Sequence, residues 1–306
     1  MSNNPVQPAE CGFGARLSRV VAARGPLCAG IDPHPELLRD WGLGDDVAGL
    51  ERFARDAVEA LAPEVALVKP QSAFFERHGA RGIRVLEQVL VAARDAGALV
   101  LLDVKRGDIG STMAGYAAAY LSDGAPLAAD AITVSPYLGV GALDPAFELA
   151  GRTGRGVFVL ALTSNPEGAD VQAAVTGVGS TGIGSTGAGS TVVGSTVVGS
   201  TVAQSVVDAV AARNAGHVGD FGVVVGATAA ARALRFEALN GPILVPGIGA
   251  QGASLVDLPE VFGAAIRHVL PTTSRALLRY GPEPASLRHA ARRMADEVAD
   301  LLTSHL

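Results

Sequence analysis

Six consecutive residues, Asp103-Val104-Lys105-Arg106-Gly107-Asp108, carry a carboxylate, an ammonium and a second carboxylate at the end of an apolar run. Strand side chains alternate, so Asp103 and Lys105 point to the same side. Gly107 allows the chain to change direction sharply before Asp108. Opposite charges about 4 Å apart attract by roughly 4 kcal/mol at an effective dielectric near 20. That is roughly three pK units in favour of the charged forms, set against desolvation. The pairing wins, and Lys105 stays an ammonium. A held ammonium is a poor Schiff-base nucleophile and a suitable general acid. Lys69, at the end of another apolar run, extends the set to four alternating charges. A purely structural ion-pair network is the alternative, but charges at this depth are costly to desolvate, which favours a function. Of the 24 basic residues 22 are arginine, and Lys69 and Lys105 are the two lysines. Proton transfer is one task that an always-charged guanidinium performs poorly.

A second chemical feature is Val245-Pro246-Gly247-Ile248-Gly249-Ala250-Gln251-Gly252. It matches G-x-G-x-x-G, yet it lies far from the first βαβ unit, and no acidic residue follows at the ribose-binding spacing. The better reading is a phosphate cradle whose backbone N–H groups are bared by Gly247 and Gly249. Arg275 adds a bidentate phosphate contact. Asp32, in Gly30-Ile31-Asp32-Pro33, is placed to bind a ribose hydroxyl, and Ser135, in Ser135-Pro136-Tyr137, to meet a ring edge. The six histidines form no metal-ligand spacing with cysteines or carboxylates, so neither zinc nor a histidine-based triad is supported.

These residues need a scaffold that brings strand ends together. Short, nearly continuous apolar runs occur at 27–31, 65–69, 98–103, 131–134, 157–162, 221–225, 243–246 and 268–270. Such runs are expected of parallel strands buried on both faces. Amphipathic helical patterns lie between them at 45–61, 83–94, 202–214 and 228–239, and another closes the chain at 284–302. Eight strands alternating with helices predict a (β/α)8 TIM barrel, with a doubly wound open sheet as the competing topology. In a barrel every candidate residue named so far falls on the C-terminal rim. The 306 residues, 49% hydrophobic and 18% charged, suit one barrel domain spanning 1–306.

Within that domain a Gly-Ser-Thr unit recurs every five residues from Gly179 through Gly184, Gly189, Gly194 and Gly199. No charge occurs between Asp170 and Asp208. This predicts a flexible insertion, residues 177–201, between strand five and the next helix. The net charge of −6 argues against nucleic-acid binding. Two cysteines, Cys11 and Cys28, suit a reducing compartment. The polar first ten residues do not resemble a signal peptide, and no apolar run is long enough to span a membrane, so a cytoplasmic location is expected.

Asp103-x-Lys105-x-x-Asp108-Ile109 resembles the signature of the orotidine 5′-phosphate decarboxylase family. Gly30-Ile31-Asp32-Pro33, Lys69-Pro70, Ser135-Pro136-Tyr137, the 246–252 loop and Arg275 follow in that family's order. Lys69-Pro70-Gln71-Ser72-Ala73-Phe74-Phe75-Glu76 and Thr163-Ser164-Asn165-Pro166 resemble its longer bacterial subgroup, type 2. The resemblance covers about residues 12 to 300; the repeat departs from it beside the loop that closes over the phosphate. It implies conversion of orotidine 5′-phosphate to UMP without metal or organic cofactor. It implies Lys105 as proton donor to C6, Asp103 facing the substrate carboxylate, and Lys69 and Asp32 at the ribose and charge network. Ser135 and Gln172 would contact the pyrimidine, with Gln172 also bridging to the phosphate held by Gly249 and Arg275. Asp108 and Thr112 would reach across a homodimer interface into the partner's site.

Three other readings stay open on the sequence. One is a magnesium-dependent sugar-phosphate lyase or decarboxylase of the same superfamily. Another is a Schiff-base aldolase using Lys105. The third is a non-catalytic barrel whose repeat recruits partners.

Overall fold

The computed structural model describes residues 12–176, 199–215, 219–249 and 254–304. The first four copies of the repeat, Cys11 and residues 250–253 of the glycine loop lie outside them. Eight parallel strands follow in chain order: β1 (Cys28–Ile31), β2 (Leu67–Pro70), β3 (Leu99–Arg106), β4 (Ala131–Val134), β5 (Gly156–Leu162), β6 (Phe221–Val225), β7 (Ile243–Val245) and β8 (Val269–Thr273). β8 pairs with β1, so the sheet closes as a (β/α)8 barrel and the open-sheet topology is excluded.

The interior explains which residues reach the mouth. Cys28, Leu67, Leu99, Leu101, Ala131, Phe158 and Leu270 belong to one inner apolar cluster. Two residues further along three of those strands stand Lys69, Asp103 and Thr133, all buried. Alternation therefore stacks a polar layer directly on apolar ones. The other end of the barrel is plugged by the helix Phe13–Arg24. Its Phe13 ring meets Phe158 edge-on at 5.9 Å, and the Gly14 N–H donates to Asp220 Oδ1 at 2.7 Å. Gly156 leaves room for the plug: a Cβ there would stand 2.6 Å from the Phe13 ring.

Outside the barrel, helices cover the strands with apolar stripes. In Val47–Leu61 the buried Leu50, Phe53, Ala54, Ala57, Val58 and Leu61 recur at helical spacing. Asp46 caps this helix by accepting from the Gly49 N–H at 2.9 Å, worth about 1 kcal/mol. Among the described residues no helix is long and apolar enough to cross a membrane.

Three elements differ from the sequence expectation. β3 runs on through Lys105 to Arg106. β8 continues through Pro271, whose missing N–H masks the continuation in sequence. The helix expected over 228–239 is a single 3-10 stretch, Ala229–Ala233. There the Gln204 amide takes the backbone of Arg235, accepting from its N–H at 2.7 Å and donating to its carbonyl at 3.0 Å. Those groups are thereby withdrawn from helix bonding.

The repeat leaves and re-enters the barrel through a pinch. Val175 and Thr201 form an antiparallel bridge, and the Thr176 N–H donates to the Ser200 carbonyl at 2.8 Å. Thr201 also caps the helix Val202–Arg213, accepting from the Gln204 N–H at 3.1 Å. Removing residues 179–198 should therefore leave a three-residue hairpin turn and raise unfolding stability by up to about 2 kcal/mol, the loop-closure entropy saved by the shorter connection. A deletion carried through Thr201 should fall short of that by about 1 kcal/mol through the lost cap. Urea melts of the two variants check this.

Candidate active site

Asp103 is the hub of the polar layer. Its Oδ2 accepts from Lys69 Nζ and Gln71 Nε2, each at 2.9 Å. Its Oδ1 accepts from Lys105 Nζ at 2.5 Å and Thr133 Oγ1 at 2.8 Å. Burial alone would raise the Asp103 carboxyl. The ammonium groups of Lys69 and Lys105 outweigh burial and hold it well below the usual carboxylate range. Burial likewise works against the Lys69 ammonium, but Asp103 and then Asp32 keep it charged and push its pKa upward. The Lys105 side chain is 45% exposed, against 7% for Lys69. One ammonium is thus sealed in the barrel and the other faces the open mouth on the same carboxylate.

Lys105 reaches that position by a local irregularity. Its φ is 45°, in the left-handed region that disfavours a residue with a Cβ. The pairing of β3 with β4 shifts register between Leu102 and Arg106. Simple alternation is therefore a correct guide for Asp103 and an insufficient one for Lys105. Gly107 is required for a steric reason: a Cβ there would stand 2.4 Å from the Ser135 carbonyl oxygen.

Asp32 follows β1, whose Gly30 pairs with Lys69. Its Oδ1 is buried without a hydrogen-bond partner. Ser135 follows β4 and donates its N–H to the Arg106 carbonyl at 2.8 Å, which seats it on the rim beside β3. Gly247 and Gly249 have φ of 88° and 80°, a conformation natural to glycine. The loop is tied to β8, since the Ile248 N–H donates to the Thr272 carbonyl at 3.2 Å. Exposed Arg275 begins a short helix whose Ala276 Cβ would lie 3.3 Å from a Cβ on Gly249. Gly249 thus lies against the short helix that Arg275 opens, with Gly247 two residues before it in the chain.

Other expected residues stand apart from this cluster within one chain. Asp108 Oδ1 accepts from the Ile109 N–H instead of joining Lys105. The expected set of four alternating charges is thus three here, Lys69, Asp103 and Lys105. Thr112 is exposed on the helix Gly110–Leu121. The Gln172 amide is turned onto Thr163, accepting from its N–H at 2.9 Å and donating to its hydroxyl at 2.8 Å. Gln71 and Thr133 are the contributors that sequence reasoning missed. Thr133 is the one polar residue in the four-residue run of β4, and Gln71 directly follows Lys69-Pro70.

Lys69→Met should cost about 3 kcal/mol at neutral pH, because Asp103 would lose its buried cationic partner. The depressed Asp103 pKa gives stability that is complete above its unfolded value of about 3.9 and fades as pH falls towards the folded value. The variant depresses that carboxyl less and has less to lose. The gap between variant and parent should therefore narrow below about pH 4, as urea melts at pH 7 and pH 3 would measure.

Fold and site together define a barrel of the enzyme class that carries its charged residues on the C-terminal rim. A family model described as orotidine 5′-phosphate decarboxylase / HUMPS family matches residues 25–183. The chain is 55% identical over 294 residues to an orotidine 5′-phosphate decarboxylase of Streptomyces coelicolor, covering 95% of this chain and 99% of that one. It is 58% identical over 293 residues to the Salinispora arenicola protein of the same name, covering 95% and 98%. A crystal structure from Streptomyces avermitilis, assigned as an orotidine 5′-phosphate decarboxylase, superposes with a TM-score of 0.87 at 53% identity, covering 99% and 100%. The chain belongs to the orotidine 5′-phosphate decarboxylase family.

Proposed function

We propose that the chain decarboxylates orotidine 5′-phosphate to UMP, with Lys105 as the proton donor to C6. The observation that carries this is the Lys105 ammonium, open to the mouth yet fixed on a carboxylate that a second, buried lysine keeps ionised. The C6–carboxylate bond breaks, CO2 leaves, and the electron pair stays on C6, where the ring offers no adjacent sink. A preorganised ammonium stabilises that developing charge, then delivers its proton to the same carbon. Solvent at the mouth returns the proton to the amine. Asp103 faces the leaving carboxylate.

Gly247, Gly249 and Arg275 hold the phosphate, far from the reacting carbon. Binding energy gained there positions the base. Asp32, with an unpaired buried oxygen, accepts from a ribose hydroxyl beside Lys69. Ser135 and Gln172 contact the pyrimidine; Gln172 must exchange its Thr163 contacts to do so. No step calls on a metal or organic cofactor.

The active form is a homodimer in which Asp108 and Thr112 of the partner subunit complete each site. Exposed apolar side chains support such a face: Ile109 is 62% exposed, Leu138 53% and Tyr137 81%. Ala114 and Ala118 of the helix Gly110–Leu121 are exposed too, as is Thr112. Small residues allow close approach of a second copy about a two-fold axis.

The test is an ultraviolet assay of orotidine 5′-phosphate turnover with and without EDTA. Turnover that survives the chelator supports the reading. Absence of turnover, or turnover that EDTA abolishes and magnesium restores, overturns it in favour of a metal-dependent relative.

A further inference from the structure

We propose that Thr133 is a positioning residue that locks the Lys105 ammonium in place by tying the lysine's own backbone to Asp103. This rests on the reading of Lys105 as proton donor. The Thr133 hydroxyl accepts from the Lys105 backbone N–H at 2.9 Å and donates its single proton to Asp103 Oδ1 at 2.8 Å. That same oxygen accepts from Lys105 Nζ at 2.5 Å. A closed circuit results, from the lysine's backbone through one hydroxyl and one carboxylate oxygen to the lysine's side-chain tip.

The direction of each bond is fixed. A backbone N–H only donates, so the hydroxyl must accept from it. An ionised carboxylate only accepts, so the hydroxyl proton points to Asp103. Thr133 is 1% exposed on β4, at the place where the pairing of β3 with β4 loses register. The Lys105 N–H therefore bonds to a side chain at the point where its φ enters the left-handed region. An irregular conformation of this kind persists when surrounding groups over-determine it. Thr133 is one of those groups, and it also fills one of four donor positions around the Asp103 carboxylate. The apolar neighbours Ile132 and Val134 pack into the outer core and leave the inward hydroxyl as the polar contribution of β4 to the layer.

Thr133→Val keeps the shape and removes the hydroxyl; Thr133→Ser keeps the hydroxyl. Kinetics should show kcat for orotidine 5′-phosphate lowered about 30-fold in Thr133→Val, as small displacements of a catalytic group cost up to 100-fold. KM should stay within about twofold, since Thr133 itself touches neither phosphate nor ribose and Lys69 keeps its own bond to the other Asp103 oxygen. Thr133→Ser should recover kcat to within about threefold of the parent. With only two lysines in the chain, selective 15N-lysine labelling gives two backbone amide signals, Lys69 and Lys105. The Lys105 signal should move upfield in Thr133→Val, remain near its parent position in Thr133→Ser, and the Lys69 signal should hold still in both.

An unchanged kcat in Thr133→Val overturns the proposal. So does a serine variant as impaired as the valine variant, or a Lys105 signal that does not move. The labelling experiment reads the tether without substrate. If the parent protein fails to turn over orotidine 5′-phosphate, the decarboxylase reading falls, and the Lys105 signal still decides whether Thr133 holds that lysine.

Discussion

Lys105→Ala is expected to lower kcat for orotidine 5′-phosphate by at least about 10⁴-fold while a phosphate-bearing product such as UMP still binds. The size follows from two losses at one atom. A preorganised charge opposite the developing carbanion is worth roughly 10²–10³-fold, and a positioned general acid contributes roughly 10²–10⁴-fold. Binding survives because Arg275, Gly247 and Gly249 stand elsewhere on the rim. Lys105→Gly should be equally inactive, yet more stable than Lys105→Ala by about 1 kcal/mol. Glycine adopts the left-handed backbone at this position without the clash that any Cβ meets. Steady-state turnover, UMP titration and urea melts read the three parts. Near-normal turnover in either variant would remove Lys105 from the chemistry.

The second large effect is recovery. Asp108→Asn and Lys105→Ala proteins, each nearly inactive alone, should regain about a quarter of parental activity when mixed and allowed to exchange subunits. Half of the dimers are then mixed, and in each of those one of two sites holds a native Lys105 opposite a native Asp108. The geometry behind this is that Asp108 accepts from the Ile109 N–H while its own chain's Lys105 pairs with Asp103. Mixed dimers can be confirmed by differential tagging before the assay. If confirmed mixed dimers stay inactive, Asp108 does not serve a neighbouring chain.

The barrel was readable because buried parallel strands leave almost unbroken apolar runs, and β4 and β6 begin and end where those runs do. The rim was readable for a related reason. In an all-parallel barrel every strand ends on the same side, so polar residues after strands must gather there. Thr133 was hidden because threonine in Ala131-Ile132-Thr133-Val134 looks like an ordinary strand former. Its role appears only once register sets it against Lys105. The left-handed Lys105 leaves no trace in composition. The 228–239 segment reads as a helix locally and is overruled by the Gln204 amide, a contact from a distant part of the chain. The helix Gly110–Leu121 carries no amphipathic stripe in sequence, because small and apolar residues surround it on nearly every side.

The bridge between Val175 and Thr201 bears on how such a chain changes over generations. Each repeat unit is a whole number of codons, so replication slippage adds or removes copies without shifting the reading frame. The pinch joins the two flanks beside the barrel, at Val175 and Thr201. A change in copy number should therefore reach the barrel mainly as a closure cost that grows with the logarithm of length, about 0.6 kcal/mol per doubling.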